Sequence, residues 1–295
     1  MIGRLEQGGQ VINPNLGVLF AVIAVSAASV LIKMSAQLSA LTVISYRLGL
    51  TLLILLPLAL IFNRSEFTRL TKRDYLLAGA SGVFLALHFI TWTFSIYYTT
   101  VASSAVLVAT QPVFVMLGSG LILKEWVGIK KGLCAALAMF GTALIGYRDF
   151  QVAGPAFFGD MLALAGALFV AGYWLIGRHL RERLSLLPYV VVVYGICEII
   201  VLLAVAGTGT SLSPGSLNGF WILVLLAIIP TIFGHTLLNW SIKYVKTPVI
   251  AISLLGEPVG ASILALLILR EVPTSGQMLG GIIILLGIFL YNRFE

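Results

Sequence analysis

Long apolar runs alternate with short polar breaks along almost the whole chain. Each run is close to the roughly 20 residues that an α-helix needs to cross a bilayer. The pattern therefore predicts ten membrane-spanning helices joined by short loops. Their predicted bounds are 17–37, 41–62, 75–98, 101–123, 128–147, 157–178, 186–206, 217–243, 247–269 and 275–292.

The composition excludes a water-soluble domain. Of the 295 residues, 60% are hydrophobic and 10% are charged, whereas a soluble domain carries about 25% charged residues. We therefore expect an all-α integral membrane protein whose main surroundings are the lipid bilayer. Cys134 and Cys197 lie inside apolar runs, which indicates small core residues and predicts neither a disulfide nor a metal site.

The positions of lysine and arginine predict the orientation in the membrane. With the N-terminus inside the cell, 14 of the 18 basic residues fall on the cytoplasmic side, and Arg148 and Arg270 fall on the other. Basic residues concentrate in cytoplasmic loops. We therefore predict that both termini are cytoplasmic and that residues 1–16 form a cytoplasmic tail. Basic charge confined to such loops gives no reason to expect a nucleic-acid partner.

One apolar stretch occurs twice. Residues 101–125 and 247–271, related by an offset of 146, match at seven of 25 positions. The matches include Pro112 and Pro258 in the middle of each run. Broken helices at matching positions of two halves mark midplane binding sites in transporters.

The duplication predicts two repeats of five helices, over residues 17–147 and 157–292. Five spans per repeat is an odd number, so the second repeat enters the membrane from the opposite side. Inverted repeats of this kind support alternating access around a central site.

Several short motifs lie at characteristic places in the two repeats. They are Gln111–Pro112 and Glu257–Pro258, the endings Lys124–Glu125 and Arg270–Glu271, Arg47, and the segment from His88 to Trp92. With these motifs the chain resembles the EamA-type branch of the drug/metabolite transporter superfamily. This resemblance implies ten helices around a central cavity, a bacterial-type inner-membrane location and, usually, export of small metabolites. It does not imply a particular substrate.

Glu257 is the sharpest polar feature, because it lies near the middle of the ninth run. A charged side chain there costs roughly 3 kcal/mol on insertion scales. Its carboxyl group either exchanges protons or binds substrate, or it braces backbone groups freed by Pro258. The matching Gln111 favours the brace, because an amide cannot titrate. A proton role would make the transporter an antiporter.

Other polar and aromatic residues near mid-span are candidates for the cavity wall. His88 and Trp92, and likewise His235 and Asn239, are four residues apart and share a helix face. Either they line the cavity, or they form hydrogen bonds between helices and pack in the core. The predicted substrate-binding residues are His88, Trp92, Gln111, Trp174, His235, Asn239 and Glu257.

Two further charged residues lie within apolar runs. We predict that Arg47 either binds an anionic group at the outer mouth or extends to the outer interface. Glu198 needs a partner, and Arg47 is a candidate on the basis of repeat symmetry alone.

The sequence therefore predicts a secondary-active or facilitative transporter that exports a small metabolite, such as an amino acid or a related amphipathic compound. The alternative is a flippase or transporter of a quaternary amine or lipid-linked compound. An integral-membrane enzyme is disfavoured, because the sequence has no glycine-rich phosphate loop, His/Cys cluster or Ser/His/Asp set at one depth. We expect no cofactor. The sequence leaves monomer and homodimer open.

Overall fold

The structure is a computed structural model that describes residues 13–99, 101–146 and 154–294. Within these ranges the chain forms helices and no β-strand. The predicted tail residues 1–12, the end of the predicted span 128–147, and Arg148 lie outside them. The unbroken long helices are α1 (Pro14–Met34), α2 (Ala40–Phe62), α3 (Lys72–Tyr98), α5 (Ile129–Gly146), α6 (Gly154–Arg181), α7 (Leu186–Thr208) and α10 (Ser275–Arg293).

Three further helices change geometry along their length. They are α4 (Val101–Val108, Gln111–Gly118 and the π-helical turn Ser119–Leu123), α8 (Leu217–Leu226, the π-helical Ala227–Thr236 and Leu237–Ser241), and α9 (Thr247–Ser253, the 3₁₀ turn Leu254–Gly256, Glu257–Leu264 and the π-helical turn Ala265–Leu269).

Nine helices in the described residues are long and apolar enough to cross a membrane. They are α1 to α4 and α6 to α10, so the all-α membrane prediction is confirmed. Helix α5 has 18 residues and begins with Lys130 and Lys131 in its first turn. The total of ten spanning helices stays a prediction.

Side-chain caps fix several helix starts. Thr71 and Asp74 form a reciprocal capping box at the start of α3, and Thr274 and Gln277 do the same for α10. These caps satisfy backbone N–H groups that have no partner inside the helix. Helix α1 begins three residues before its predicted start, because the Asn13 side chain accepts a hydrogen bond from the Asn15 N–H at 2.9 Å.

The breaks predicted at Pro112 and Pro258 are confirmed. Each proline stands directly after an interruption of its helix. Each helix then ends in a π-helical turn followed by a residue in the left-handed conformation, Lys124 or Arg270, both with φ 58°. Left-handed backbone is uncommon for residues other than glycine, so the two repeated stretches share an unusual local geometry.

Close helix packing surrounds the centre. Helix α3 packs along α6, and α5 packs along α10. A Cβ added at Gly280 would lie 2.5 Å from the Gly141 carbonyl oxygen, so glycine is required where α5 and α10 touch. Small residues allow such backbone approach in membrane bundles.

Candidate functional site

A small polar cavity lies at the centre of the helix bundle. Its volume is about 40 Å³, which is enough for a water molecule and too small for a metabolite. Helices α1, α2, α3, α4, α6, α8 and α9 all contribute to its wall. The lining residues are Val25, Ala28, Arg47, His88, Trp92, Val108, Gln111, Val170, Trp174, His235, Leu238, Leu254 and Glu257.

Two stacked histidine–tryptophan pairs form part of the wall. The rings of His88 and Trp92 are 6.0 Å apart between centroids and inclined by 2°. The rings of Trp174 and His235 are 5.9 Å apart and inclined by 11°. The first pair follows from the four-residue spacing on α3. The second joins α6 to α8, so helical spacing could not predict it.

A hydrogen bond holds the imidazole of His88, whereas the hydrogen bond at His235 involves only its backbone carbonyl. His88 Nδ1 lies 2.9 Å from the Gly166 carbonyl oxygen. Helices α3 and α6 approach closely here, since a Cβ added at Gly166 would lie 3.2 Å from the Thr91 hydroxyl oxygen. The His235 carbonyl oxygen accepts a hydrogen bond from the Asn239 amide at 2.8 Å. The His88 ring is thus anchored on α6.

Arg47 lies inside the bundle, and the expectation that it extends to the outer interface or lines an outer mouth is wrong. Its side chain is 2% exposed, and it lines the central cavity. Its guanidinium carbon lies 4.3 Å from the centroid of the Phe89 ring. A buried guanidinium needs polar partners because desolvation of a charge is costly.

Thr231, directly after Pro230, supplies one of those partners. Pro230 in α8 has no N–H and cannot make the α-helical bond to the Leu226 carbonyl, and this segment is π-helical. The Thr231 hydroxyl donates to that carbonyl oxygen at 2.8 Å. It also accepts a hydrogen bond from Arg47 Nε at 2.7 Å. Pro230 and Thr231 are thus positioning residues that the sequence analysis missed. The signal was a threonine directly after a mid-span proline.

Glu257 shares the cavity with Arg47. Within the described part of the chain, the Glu257 carboxylate has no hydrogen bond, and it makes no ion pair with Arg47 within 4.0 Å. The cavity therefore contains two opposite charges that are near each other and not directly bonded.

Several cavity-lining residues carry buried polar atoms without a hydrogen-bond partner. Buried polar groups in proteins are nearly always bonded, so these atoms are available to bind a ligand. The atoms are Trp92 Nε1, Gln111 Oε1, Trp174 Nε1 and His235 Nδ1.

Asn239 is brought close to the predicted site without lining the cavity. Its amide donates to the Tyr173 hydroxyl and to the His235 carbonyl. The backbone carbonyl oxygen of Asn239 accepts a hydrogen bond from Arg181 Nε at 2.9 Å. Asn239 thus supports the wall from behind, and its predicted contact with substrate is not part of the cavity observed here.

Glu198 has a different partner from the one considered. The Ser45 hydroxyl donates to Glu198 Oε1 at 2.8 Å across the α2–α7 contact. Among the described residues Arg47 makes no ion pair with Glu198. The repeat symmetry suggested the wrong partner because Arg47 turns towards α8 instead of α7. Across the described ranges there is also no group of three or more metal-ligating side chains.

Three cavities that share lining residues lie between the centre and one end of the bundle. A second cavity of about 20 Å³ shares Gln111 and Glu257 with the first. It shares Ala105 and Ala261 with a third cavity of about 290 Å³. The third cavity reaches Lys33, which pairs with Glu271 at 2.5 Å.

Apolar helices around a buried polar cavity define a multi-pass helical membrane protein. The model of the EamA-like transporter family matches residues 14–147 and again residues 157–293. The chain therefore belongs to the EamA-like transporter family. It is a membrane transporter and not an enzyme.

Relatives carry the same general description. The uncharacterized transporter YdfC of Bacillus subtilis (strain 168) is 26% identical over 193 residues, which are 64% of this chain and 62% of that protein. The match thus spans less than two thirds of that relative. An uncharacterized transporter of Clostridium kluyveri is 25% identical over 245 residues, which are 80% of this chain and 78% of that protein.

A solved crystal structure superposes on the chain with a TM-score of 0.77 at 18% sequence identity. The superposition covers 96% of this chain and 98% of the other. At that identity the likeness shows the fold alone.

Proposed function

We propose that the protein exports a small zwitterionic metabolite, such as an amino acid, across the inner membrane by alternating access. The observation that carries this proposal is the presence of Arg47 and Glu257 in one buried cavity without a bond between them. A zwitterion bridges such a pair, with its carboxylate on the guanidinium and its ammonium on the carboxylate. Each contact is a charge-assisted hydrogen bond, which is stronger than a neutral one.

The aromatic walls suit the remainder of such a molecule. The His88–Trp92 and Trp174–His235 stacks both line the cavity and adjoin each other, with 6.5 Å between the His88 and His235 ring centroids. Aromatic rings bind apolar and aromatic groups through their large contact area. The free indole N–H groups of Trp92 and Trp174 add hydrogen-bond donors. The cavity must widen to hold the substrate, so the conformation described is a contracted one.

Ten spanning helices in two inverted repeats, over residues 17–147 and 157–292, are part of the proposal. The matched ends at Lys124 and Arg270, both left-handed, support it. So does the cavity wall, where Gln111 and Glu257 occupy matching positions of the two repeats. The lysine and arginine distribution supports cytoplasmic termini. The Lys33 end of the bundle then faces outwards.

Thermal stability of the purified protein tests the substrate class, because a ligand that binds the folded state raises apparent stability. The probes are a panel of amino acids, matched amines without a carboxylate, and matched acids without an amine. We expect the midpoint of unfolding to rise with at least one amino acid and not with its matched amine or acid. A rise with the amines alone would overturn the zwitterion proposal.

Arg47→Lys sharpens the same experiment. Lysine keeps the positive charge and loses the planar pair of donors that matches a carboxylate. Loss of a hydrogen bond to a charged group costs about 1.5–3 kcal/mol, so we expect the Kd to rise at least about tenfold. Arg69→Lys, at an exposed position between α2 and α3, is the matched control and keeps the parent Kd.

A quaternary amine or lipid-linked compound remains the second candidate, and the cation-binding surface of the two tryptophans favours it. A cation without a carboxylate leaves Arg47 unpaired beside it. Stabilisation by a quaternary amine in wild type, increased in Arg47→Gln, would select this candidate over an amino acid.

A further inference from the structure

Two ion pairs occupy matching places at opposite ends of the bundle. Glu125 follows the π-helical end of α4 and lies 3.2 Å from Arg178, near the end of α6. Glu271 follows the π-helical end of α9 and lies 2.5 Å from Lys33, near the end of α1. Glu125 and Glu271 are related by the offset of 146, and Lys33 and Arg178 are related to within one residue.

The two pairs differ in burial. The side chains of Arg178 and Glu125 are 16% and 14% exposed, and those of Lys33 and Glu271 are 44% and 51% exposed. An exposed pair contributes about 0–1 kcal/mol, whereas removing one partner of a buried pair is strongly destabilising. The Arg178–Glu125 pair is therefore the stronger of the two in this conformation.

The two pairs also differ in the helices that they join. Arg178 Nη1 donates to the carbonyl oxygens of Ile242 at 2.7 Å and Lys243 at 3.0 Å, at the end of α8. One guanidinium thus ties the ends of α4, α6 and α8 together. The tie holds three helix ends together at this end of the bundle, where a separate cavity of about 970 Å³ includes Tyr244 and Lys246 but shares no lining residue with the central cavity.

Lys33 lacks the third connection. The offset of 146 relates Ile242 and Lys243 to Ile96 and Tyr97, at the end of α3. Lys33 makes no bond to either of them in the described ranges, and its partner there is Glu271. Ile96 lines the second of the three cavities between this end and the centre. The end with this series of cavities is thus the end where the third connection is missing.

We infer that the two ion pairs are equivalent latches at opposite ends of the bundle. In this conformation Arg178 with Glu125 closes the cytoplasmic end. Lys33 with Glu271 forms the outer latch, which is not bonded to the end of α3. Exchange of access requires Arg178 to release the end of α8 and Lys33 to reach the carbonyl groups near Ile96. This inference rests on the proposed function, because it assigns residues to its alternating access.

Accessibility of single cysteines tests the latches without a substrate. Ser119 is buried on α4 between the cavity and Glu125, so Ser119→Cys reports opening of the cytoplasmic end. Ala105 lines the outer route, so Ala105→Cys reports the outer end. Both native cysteines are buried and free and are replaced by alanine in both reporters. The probe is a water-soluble maleimide on protein in detergent.

We expect Glu125→Gln to raise the labelling rate at Ser119→Cys by about tenfold or more, the change produced by about 1.4 kcal/mol. Labelling at Ala105→Cys should fall in the same variant. Glu271→Gln should leave labelling at Ser119→Cys unchanged or lower it. Glu182→Gln is the control, because Glu182 is 58% exposed and lies 3.9 Å from Arg178 without joining another helix.

Unchanged labelling at both reporters in Glu125→Gln would overturn the inference, and so would an equal effect of Glu182→Gln. If Glu125→Gln does not fold, Arg178→Lys replaces it, since it retains the charge and loses the planar donors to α8. The two proposals fail separately. If labelling is unchanged in Glu125→Gln while amino acids still bind, this inference alone is rejected. If labelling changes as expected and no amino acid binds, the substrate class alone is rejected.

Discussion

The imidazole of His88 lies parallel to the indole of Trp92, with 6.0 Å between ring centroids. The His88 ring is held by the Gly166 carbonyl, so the hydrogen bond to α6 also fixes the position available to Trp92. We expect Trp92→Ala to weaken binding of an aromatic amino acid by about tenfold, because an aromatic contact contributes about 0.5–1.5 kcal/mol beyond its area. Titration calorimetry measures the Kd.

Trp221→Ala is the control for that measurement, since Trp221 is 56% exposed on the bundle surface. It should keep the parent Kd. Trp92→Phe should retain most of the affinity, because a ring remains in place. A Kd in Trp92→Ala equal to that of the parent would remove Trp92 from the site.

Asn239→Ala should reduce stability more than affinity. The Asn239 side-chain amide donates to the Tyr173 hydroxyl and to the His235 carbonyl, and its loss leaves buried polar groups unsatisfied at a cost of about 1–3 kcal/mol each. The midpoint of thermal unfolding in detergent checks this. Asn292→Ala, at an exposed position, should have no effect. A large rise in Kd with unchanged stability would instead place Asn239 in contact with substrate.

Gly280→Ala and Gly281→Ala form a matched pair. A Cβ at Gly280 would lie 2.5 Å from the Gly141 carbonyl oxygen, whereas one at Gly281 would lie 3.7 Å from Val259. Overpacking typically costs about 1–3 kcal/mol, so Gly280→Ala should lower the unfolding midpoint. Gly281→Ala should keep or raise it, because alanine favours a helix by about 1 kcal/mol. Equal effects would contradict the close α5–α10 contact.

Glu257→Gln tests proton coupling. Gln111 and Glu257 occupy matching positions, and both line the cavity, but only the carboxyl group of the two can carry a proton. In proteoliposomes we expect an imposed pH gradient to drive accumulation in wild type and to have no effect in Glu257→Gln. Gln111→Asn is the control and should keep the response to the gradient. If the imposed pH gradient leaves the wild-type transport rate unchanged, transport is facilitative and not coupled to protons.

The sequence predicted the candidate site unevenly. Seven residues were proposed to bind substrate, and six of them line one cavity. Their polarity within apolar runs was a strong signal, because lipid tolerates such side chains only where the bundle or water covers them. Asn239 carried the same signal, but its side chain bonds to Tyr173 behind the cavity wall. Polarity alone does not distinguish a residue of the wall from a residue of the hydrogen-bond network behind it.

Arg47 shows why the remaining assignments needed the structure. Its position near one end of an apolar run is equally compatible with the interface and with the interior. The deciding factor lies on α8, where the Thr231 hydroxyl donates to the Leu226 carbonyl and accepts from the Arg47 guanidinium. No local pattern around Arg47 contains that information.

The sequence by itself determined the membrane class, the apolar helices and the breaks at Pro112 and Pro258, because hydrophobicity and the missing proline N–H act within one segment. Only the tertiary structure decided that Arg47 shares a cavity with Glu257, and that Arg178 ties three helix ends where Lys33 ties two. Those relationships join residues far apart in the chain. They depend on how whole helices pack, and packing is set by all their contacts together.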